Sequence, residues 1–145
     1  MDDNRGLWRG KRDGKMWVEG YYVKYPVPGS EPLHIIISLD GQYNRVDPST
    51  IGGCVGFPDK NGKLIFEGDF VKHYCYKDDP TRFDIGVIFW ENGHARFKRT
   101  SSNEDTYFIV YDEAYPYEVI GNIYDNPELT SAAGDAAQDM LKPAM

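Results

Sequence analysis

A twelve-residue pattern occurs twice in this 145-residue chain and limits its fold more than any other feature. Asp13-Gly14-Lys15-Met16-Trp17-Val18-Glu19-Gly20-Tyr21-Tyr22-Val23-Lys24 returns 48 residues later as Asn61-Gly62-Lys63-Leu64-Ile65-Phe66-Glu67-Gly68-Asp69-Phe70-Val71-Lys72, with six of the twelve positions identical. Each copy begins at a turn signal, Asp13-Gly14 or Asn61-Gly62, and runs into a strand pattern. On a pleated strand Leu64, Phe66, Gly68 and Phe70 share one face, and Lys63, Ile65, Glu67, Asp69 and Val71 the other. In the first copy the same sets are Met16, Val18, Gly20, Tyr22 and Lys15, Trp17, Glu19, Tyr21, Val23. Polarity lines up between copies. The Glu-Gly step at the same point in each predicts a bulge or sharp bend, as where a strand turns a barrel corner. There is no convincing third copy, and two are too few for a solenoid.

The rest of the chain reads as strands and turns. Seven Phe, eleven Tyr and three Trp beside 15 Gly and 9 Pro favour a β-rich domain. Met1 to Gly10 reads as a polar lead-in anchored by Trp8. Pro26 to Pro32 is a loop, and His34 to Leu39 a short buried strand. Residues 42–58 are hard to place: Asp47-Pro48-Ser49-Thr50 suits either a helical cap or a plain loop, and Gly52, Gly53 and Gly56 then argue against regular structure. Asn92-Gly93 predicts a hairpin pairing Glu91 with His94, Trp90 with Ala95, Phe89 with Arg96 and Ile88 with Phe97. In that hairpin Ile88, Trp90, Ala95 and Phe97 form the core face. Tyr107 to Tyr111 and Tyr117 to Tyr124 are further strands. We expect one domain over residues 1–129, with a flexible or short helical tail over 130–145.

Net charge is −7. Residues 101–145 hold nine acids and one base, so the end is acidic and the remainder nearly neutral. Two cysteines, Cys54 and Cys75, make no disulfide framework, and no signal peptide or membrane-length apolar run is seen. A reduced, soluble, cytoplasmic protein without membrane contact is expected.

Phosphate-cradling loops, two-histidine zinc helices and nucleophile elbows are absent from the sequence. His73, Cys75 and Cys54 are soft ligands without paired spacing or a fourth partner, so we expect buried thiols, no metal and no cofactor. Glu67 and Asp69 flank Gly68 on one strand face. They are either a paired-carboxylate site or a charged edge guarding against edge-to-edge pairing, and the second reading is favoured. Trp8, Arg9, Lys11 and Arg12, with Trp17, interleave bases with aromatics as single-strand nucleic-acid binders do. The alternative is core anchoring by the tryptophans with solvated bases.

Arg9-Gly10-Lys11-Arg12, Gly14 to Tyr21, Asp59 to Val71, Gly86-Val87-Ile88-Phe89-Trp90 and Tyr117 to Leu129 together closely resemble the YopX family of small phage and prophage proteins. The resemblance covers about residues 5–129. It departs at Thr50 to Pro58, where relatives tend to read Thr-Val-Gly-Gln-Tyr-Thr-Gly-Leu, so no role of that Gln or Tyr carries over. It implies a mainly β fold with an SH3-like barrel, self-association, and no established catalytic residue or substrate.

The expectation is therefore a mainly β protein: a strongly bent antiparallel sheet closing into an SH3-like small barrel, with few or no helices. Functionally we expect a non-enzymatic phage or prophage accessory protein that binds a protein partner, such as a host regulatory or defence factor, as a homo-oligomer. The binding residues it would use are Trp8, Arg9, Lys11, Arg12, Glu67 and Asp69. The alternative is a nucleic-acid-binding module built on the basic, aromatic N-terminal segment. An enzyme around Glu19, Glu67, Asp69 and a histidine ranks last.

Overall fold

The Asp13-Gly14 step sets the first hairpin. Both residues adopt positive φ, 56° and 69°, as a tight two-residue turn between twisted strands requires. Such a turn needs a strand on each side. In the structure, a computed structural model describing residues 6–76, 78–79, 81–100 and 106–129, the segment before it is therefore β1 (Trp8–Arg12), antiparallel to β2 (Met16–Tyr25). This corrects the expected lead-in. Trp8 is also no core anchor: it is 36% exposed, whereas Arg9 is buried. The tail expected over 130–145 lies outside the described residues.

Contacts divide the chain into two compact units, residues 1–57 and 58–145. In the first, β3 (Leu33–Ser38), β4 (Tyr43–Arg45) and β5 (Asp47–Pro58) complete an antiparallel sheet ordered β4-β3-β2-β1-β5. Residues 42–58, expected to be irregular, thus contain the longest described strand. Gly53 stands opposite Trp8 and Gly52 opposite Arg9, so these glycines give room to bulky partners. The start of β5 is bulged. Thr50 Oγ1 donates to the Asp47 carbonyl at 2.6 Å and accepts the Lys11 N–H at 2.8 Å, where the register with β1 shifts.

In the second unit β6 (Leu64–Phe66) follows the Asp59–Gly62 turn. β7 (Asp69–His73), β8 (Asp84–Glu91), β9 (His94–Arg99) and β10 (Thr106–Phe108) form a meander. β11 (Tyr117–Asn122) returns antiparallel to β7, giving the order β10-β9-β8-β7-β11. The β8–β9 register is the one the sequence predicts, Glu91 opposite His94 through Ile88 opposite Phe97, with Asn92 and Gly93 at φ 53° and 81°. Ile88 and Phe97 are fully buried with Ile65, Phe70 and Val71, but Trp90 at the hairpin end is 37% exposed. A single 3-10 turn, Pro127–Leu129, is the one helical element among the described residues. The protein is mainly β, built from antiparallel sheets, and no described sheet closes into a barrel.

The two repeat copies fold differently, which corrects the shared bend. Glu19-Gly20 continues β2 without a positive φ, while Gly68, at φ 92°, sits in the turn between β6 and β7. Both faces of the second copy are buried: Ile65, Phe66, Asp69, Phe70 and Val71 are each at most 1% exposed.

Two polar turns hold this unit. Asp59, itself buried, accepts the N–H groups of Asn61 and Lys63 at Oδ1 and of Val119 at Oδ2, each at 2.9 Å. After β11, Asn122 Oδ1 accepts from Tyr124 and Asp125, and Asn126 Oδ1 accepts from Asn122. A Cβ at Gly121 would meet that Asn126 oxygen at 2.5 Å.

Candidate functional site

Alternation along β1 sends Trp8 and Arg12 to one face of the first sheet, and Arg9 and Lys11 to the other. Lys11 stands opposite Trp17. Both cations rest on that indole, the Arg9 guanidinium carbon 4.5 Å and Lys11 Nζ 5.3 Å from the ring centroid. On the other face Trp8 lies 5.6 Å from the Tyr22 ring, and Arg12 Nη1 donates to Asn44 Oδ1 at 3.0 Å. The bases and aromatics proposed to hold nucleic acid thus hold one another, on two faces.

Glu67 and Asp69, expected side by side on a polar strand face, are separated by the turn. Asp69 is 1% exposed, and its Oδ2 accepts the Phe66 N–H at 2.8 Å. Gly68 donates its N–H to the Ile88 carbonyl at 2.8 Å and accepts from Ile123 at 2.9 Å, so the turn is tied on both sides. Glu67 lies at the rim of an open cleft of about 590 Å³. Its Oε2 accepts the Trp90 N–H at 3.3 Å, which brings the carboxylate to the Glu91 end of β8. Phe89 and Tyr124 line the cleft over an aliphatic floor, and Lys98, opposite Val87, marks the far end. Its size suits a ligand pocket. Three stretches that carry the family resemblance, around Glu67-Gly68, Val87 to Phe89 and Ile123-Tyr124, meet here.

A second constellation escaped the sequence reading. His73 stands opposite both Asp84 and Tyr117. Its ring stacks on Tyr117 at 4.1 Å, and its Nδ1 lies 2.7 Å from the Tyr107 hydroxyl. Asp84 accepts from Tyr76 Oη at 2.9 Å, from Arg99 Nη2 at 3.3 Å and from Cys75 Sγ at 3.4 Å. These residues are scattered along the chain. The β7–β8 and β7–β11 registers, which no local turn fixes, bring His73, Asp84 and Tyr117 together, and the β9 and β10 pairings add Arg99 and Tyr107. His73 and Cys75 line one cavity, of about 230 Å³. No group that would hold a metal is found among the described residues, and neither cysteine is in a disulfide. Burial pushes the Cys75 thiol up to about 11, and the Tyr107 and Tyr117 phenols also upwards. All three therefore stay protonated at neutral pH, a poor state for a nucleophile or base.

Burial pulls His73 below its ordinary value of about 6.5, against the partly offsetting carboxylates of Asp84 and Asp112 and a backbone hydrogen bond at Tyr115. The unfolded chain then binds the proton more readily than the folded one. The contribution of His73 to stability is complete above about pH 6.5 and is lost as pH falls below it. Urea unfolding between pH 7.5 and 5.5 should show stability declining with acid, with a flatter slope in His73→Gln. An unchanged slope in that variant would contradict the assignment.

The fold has a counterpart among solved structures. The family model for the YopX protein matches residues 10–131. In three dimensions the chain is similar to the crystal structure of protein yopX from Bacillus subtilis, with a TM-score of 0.55 at 18% identity over 88% of this chain and 98% of that one. It is also similar to protein EF1440 from Enterococcus faecalis, with a TM-score of 0.48 at 23% identity over 86% and 96%. No curated protein matches the chain in sequence. No helix among the described residues is long and apolar enough to cross a membrane. With 122 of its 145 residues inside that match, the chain belongs to the YopX family.

Proposed function

We propose that this chain is a phage- or prophage-encoded accessory protein of the bacterial cytoplasm that acts without catalysis, by binding a protein partner such as a host regulatory or defence factor, and that it works as a homo-oligomer. One observation carries the reading: an exposed aromatic face on the first unit. Cross-strand rows place Tyr21, Ile37 and Tyr43 together, then Val23, Ile35 and Arg45, then Tyr25 and Leu33. Tyr21, Tyr25 and Tyr43 are 56%, 57% and 74% exposed. At roughly 200 Å² per tyrosine they alone offer roughly 400 Å², the scale at which an apolar patch marks an interaction site.

Charge supports self-association through this unit. Residues 1–57 carry seven bases and seven acids, so two copies of that unit do not repel, whereas residues 58–145 carry the whole −7. The raised thiol and phenols around Asp84 favour binding over catalysis. The nucleic-acid alternative has less support, because Arg9, Lys11 and Arg12 are engaged within their own sheet. Closure into an SH3-like barrel belongs to the same proposal. Its support is the five-strand order of the second unit, with β11 returned onto β7 and its register shifted between Val119 and Gly121.

Sedimentation velocity over a concentration series tests the reading. The wild-type chain should associate, and Tyr21→Lys combined with Tyr43→Lys should return it to the monomer. A wild-type monomer at every concentration would remove the homo-oligomer.

A further inference from the structure

We propose that the cleft beside Glu67 is a docking site for a protein segment that places an arginine or lysine side chain against Glu67 and Glu91, with an apolar neighbour against Phe89 and Tyr124. It rests on the reading that the chain acts by binding protein, and it names the site and the partner's chemistry.

The cleft selects by charge. Two carboxylates stand at one end, on a unit with 16 acids and nine bases, so its field draws cations before contact. Glu67 is preorganised by the Trp90 N–H, which leaves its carboxylate held at the rim rather than swinging in solvent. A guanidinium fits such a site best, because its planar fork pairs with carboxylates and stacks on aromatic faces such as Phe89 and Tyr124.

The cleft also has a polarity. Lys98 pairs across from Val87, four residues before Glu91 on β8, so the basic and acidic ends lie about 13 Å apart along the strand. An extended segment with a cation at one end and a carboxylate four residues on matches that separation and sends both side chains to one face. Gly68 keeps the wall in place. A Cβ there would come within 3.2 Å of the Tyr124 ring, and its two backbone hydrogen bonds fix the turn that carries Glu67.

The test is an NMR titration of the ¹⁵N-labelled full chain with the acetylated, amidated peptide Leu-Arg-Leu-Ala-Ala-Asp, and with Leu-Gln-Leu-Ala-Ala-Asp as control. Saturable shifts at the amides of Gly68, Phe89 and Tyr124 are expected for the arginine peptide, with binding about tenfold weaker for the glutamine peptide. Glu67→Gln with Glu91→Gln should weaken the arginine peptide about tenfold. Glu113→Gln, an exposed acid of the same unit outside the cleft, should not. Equal binding of both peptides, shifts confined to other residues, or no effect of the double variant would overturn the site. Any of those results leaves the sedimentation outcome intact, so the site and the broader reading fail separately.

Discussion

Gly20→Ala is expected to remove about 4 kcal/mol of stability from the first unit, while Gly68→Ala, at the matching position of the repeat, removes about 2 kcal/mol from the second. The two glycines answer different demands. At Gly20 the backbone is extended, but a Cβ would overlap the Ile37 carbonyl oxygen and lie 2.7 Å from its carbon and 2.9 Å from the Ser38 Cα. Those atoms are the paired backbone of β3, so relief comes only by opening the β2–β3 ladder. At Gly68 the obstacle is conformational. Its φ of 92° is strained for alanine, and the nearest atom, on the Tyr124 ring, belongs to a side chain that can yield. Urea unfolding of the two variants reads the difference directly. Equal, small losses would mean that both positions are simple bends, as the sequence repeat suggests.

Asp59→Ala is expected to cost about 3 kcal/mol, with Asp59→Asn losing roughly half as much. One buried carboxylate here accepts three backbone N–H groups, two from its own turn and one from Val119, sixty residues away. Its removal strands the Val119 donor on β11 and frees the turn that launches β6. The amide of Asn keeps one accepting oxygen but turns a donor towards the other N–H groups. Far-UV dichroism should show the Asn variant folded, and the loss should appear as a lower urea midpoint at unchanged slope. An Asp59→Ala variant as stable as wild type would show that water replaces the carboxylate freely.

Much of the fold is legible locally. Asn92-Gly93 fixes the β8–β9 register to the residue, and Asp13-Gly14 marks the first hairpin, because two-residue turns of this kind have few alternatives. The β1 strand and the glycine-rich β5 are harder to read. Their pairing is non-local: small residues in β5 make sense only once Trp8 and Arg9 lie opposite them. The site divides in the same way. Glu67 is visible as a carboxylate beside a turn glycine. Its parting from Asp69 is not, since period-2 alternation assumes an unbroken strand and the turn at Gly68 breaks it. The His73, Asp84 and Tyr117 cluster follows from the register of three strands, which the sequence of none of them specifies.

The division of labour between Glu67 and Asp69 is the point on which fold and binding meet. Glu67→Gln and Asp69→Asn, compared in one urea series and one peptide titration, test it most directly. Glu67→Gln should stay within about 0.5 kcal/mol of wild type yet weaken the arginine peptide, and Asp69→Asn should lose about 2 kcal/mol. Equal losses of stability, or peptide binding that depends on Asp69 and not on Glu67, would contradict the assignment.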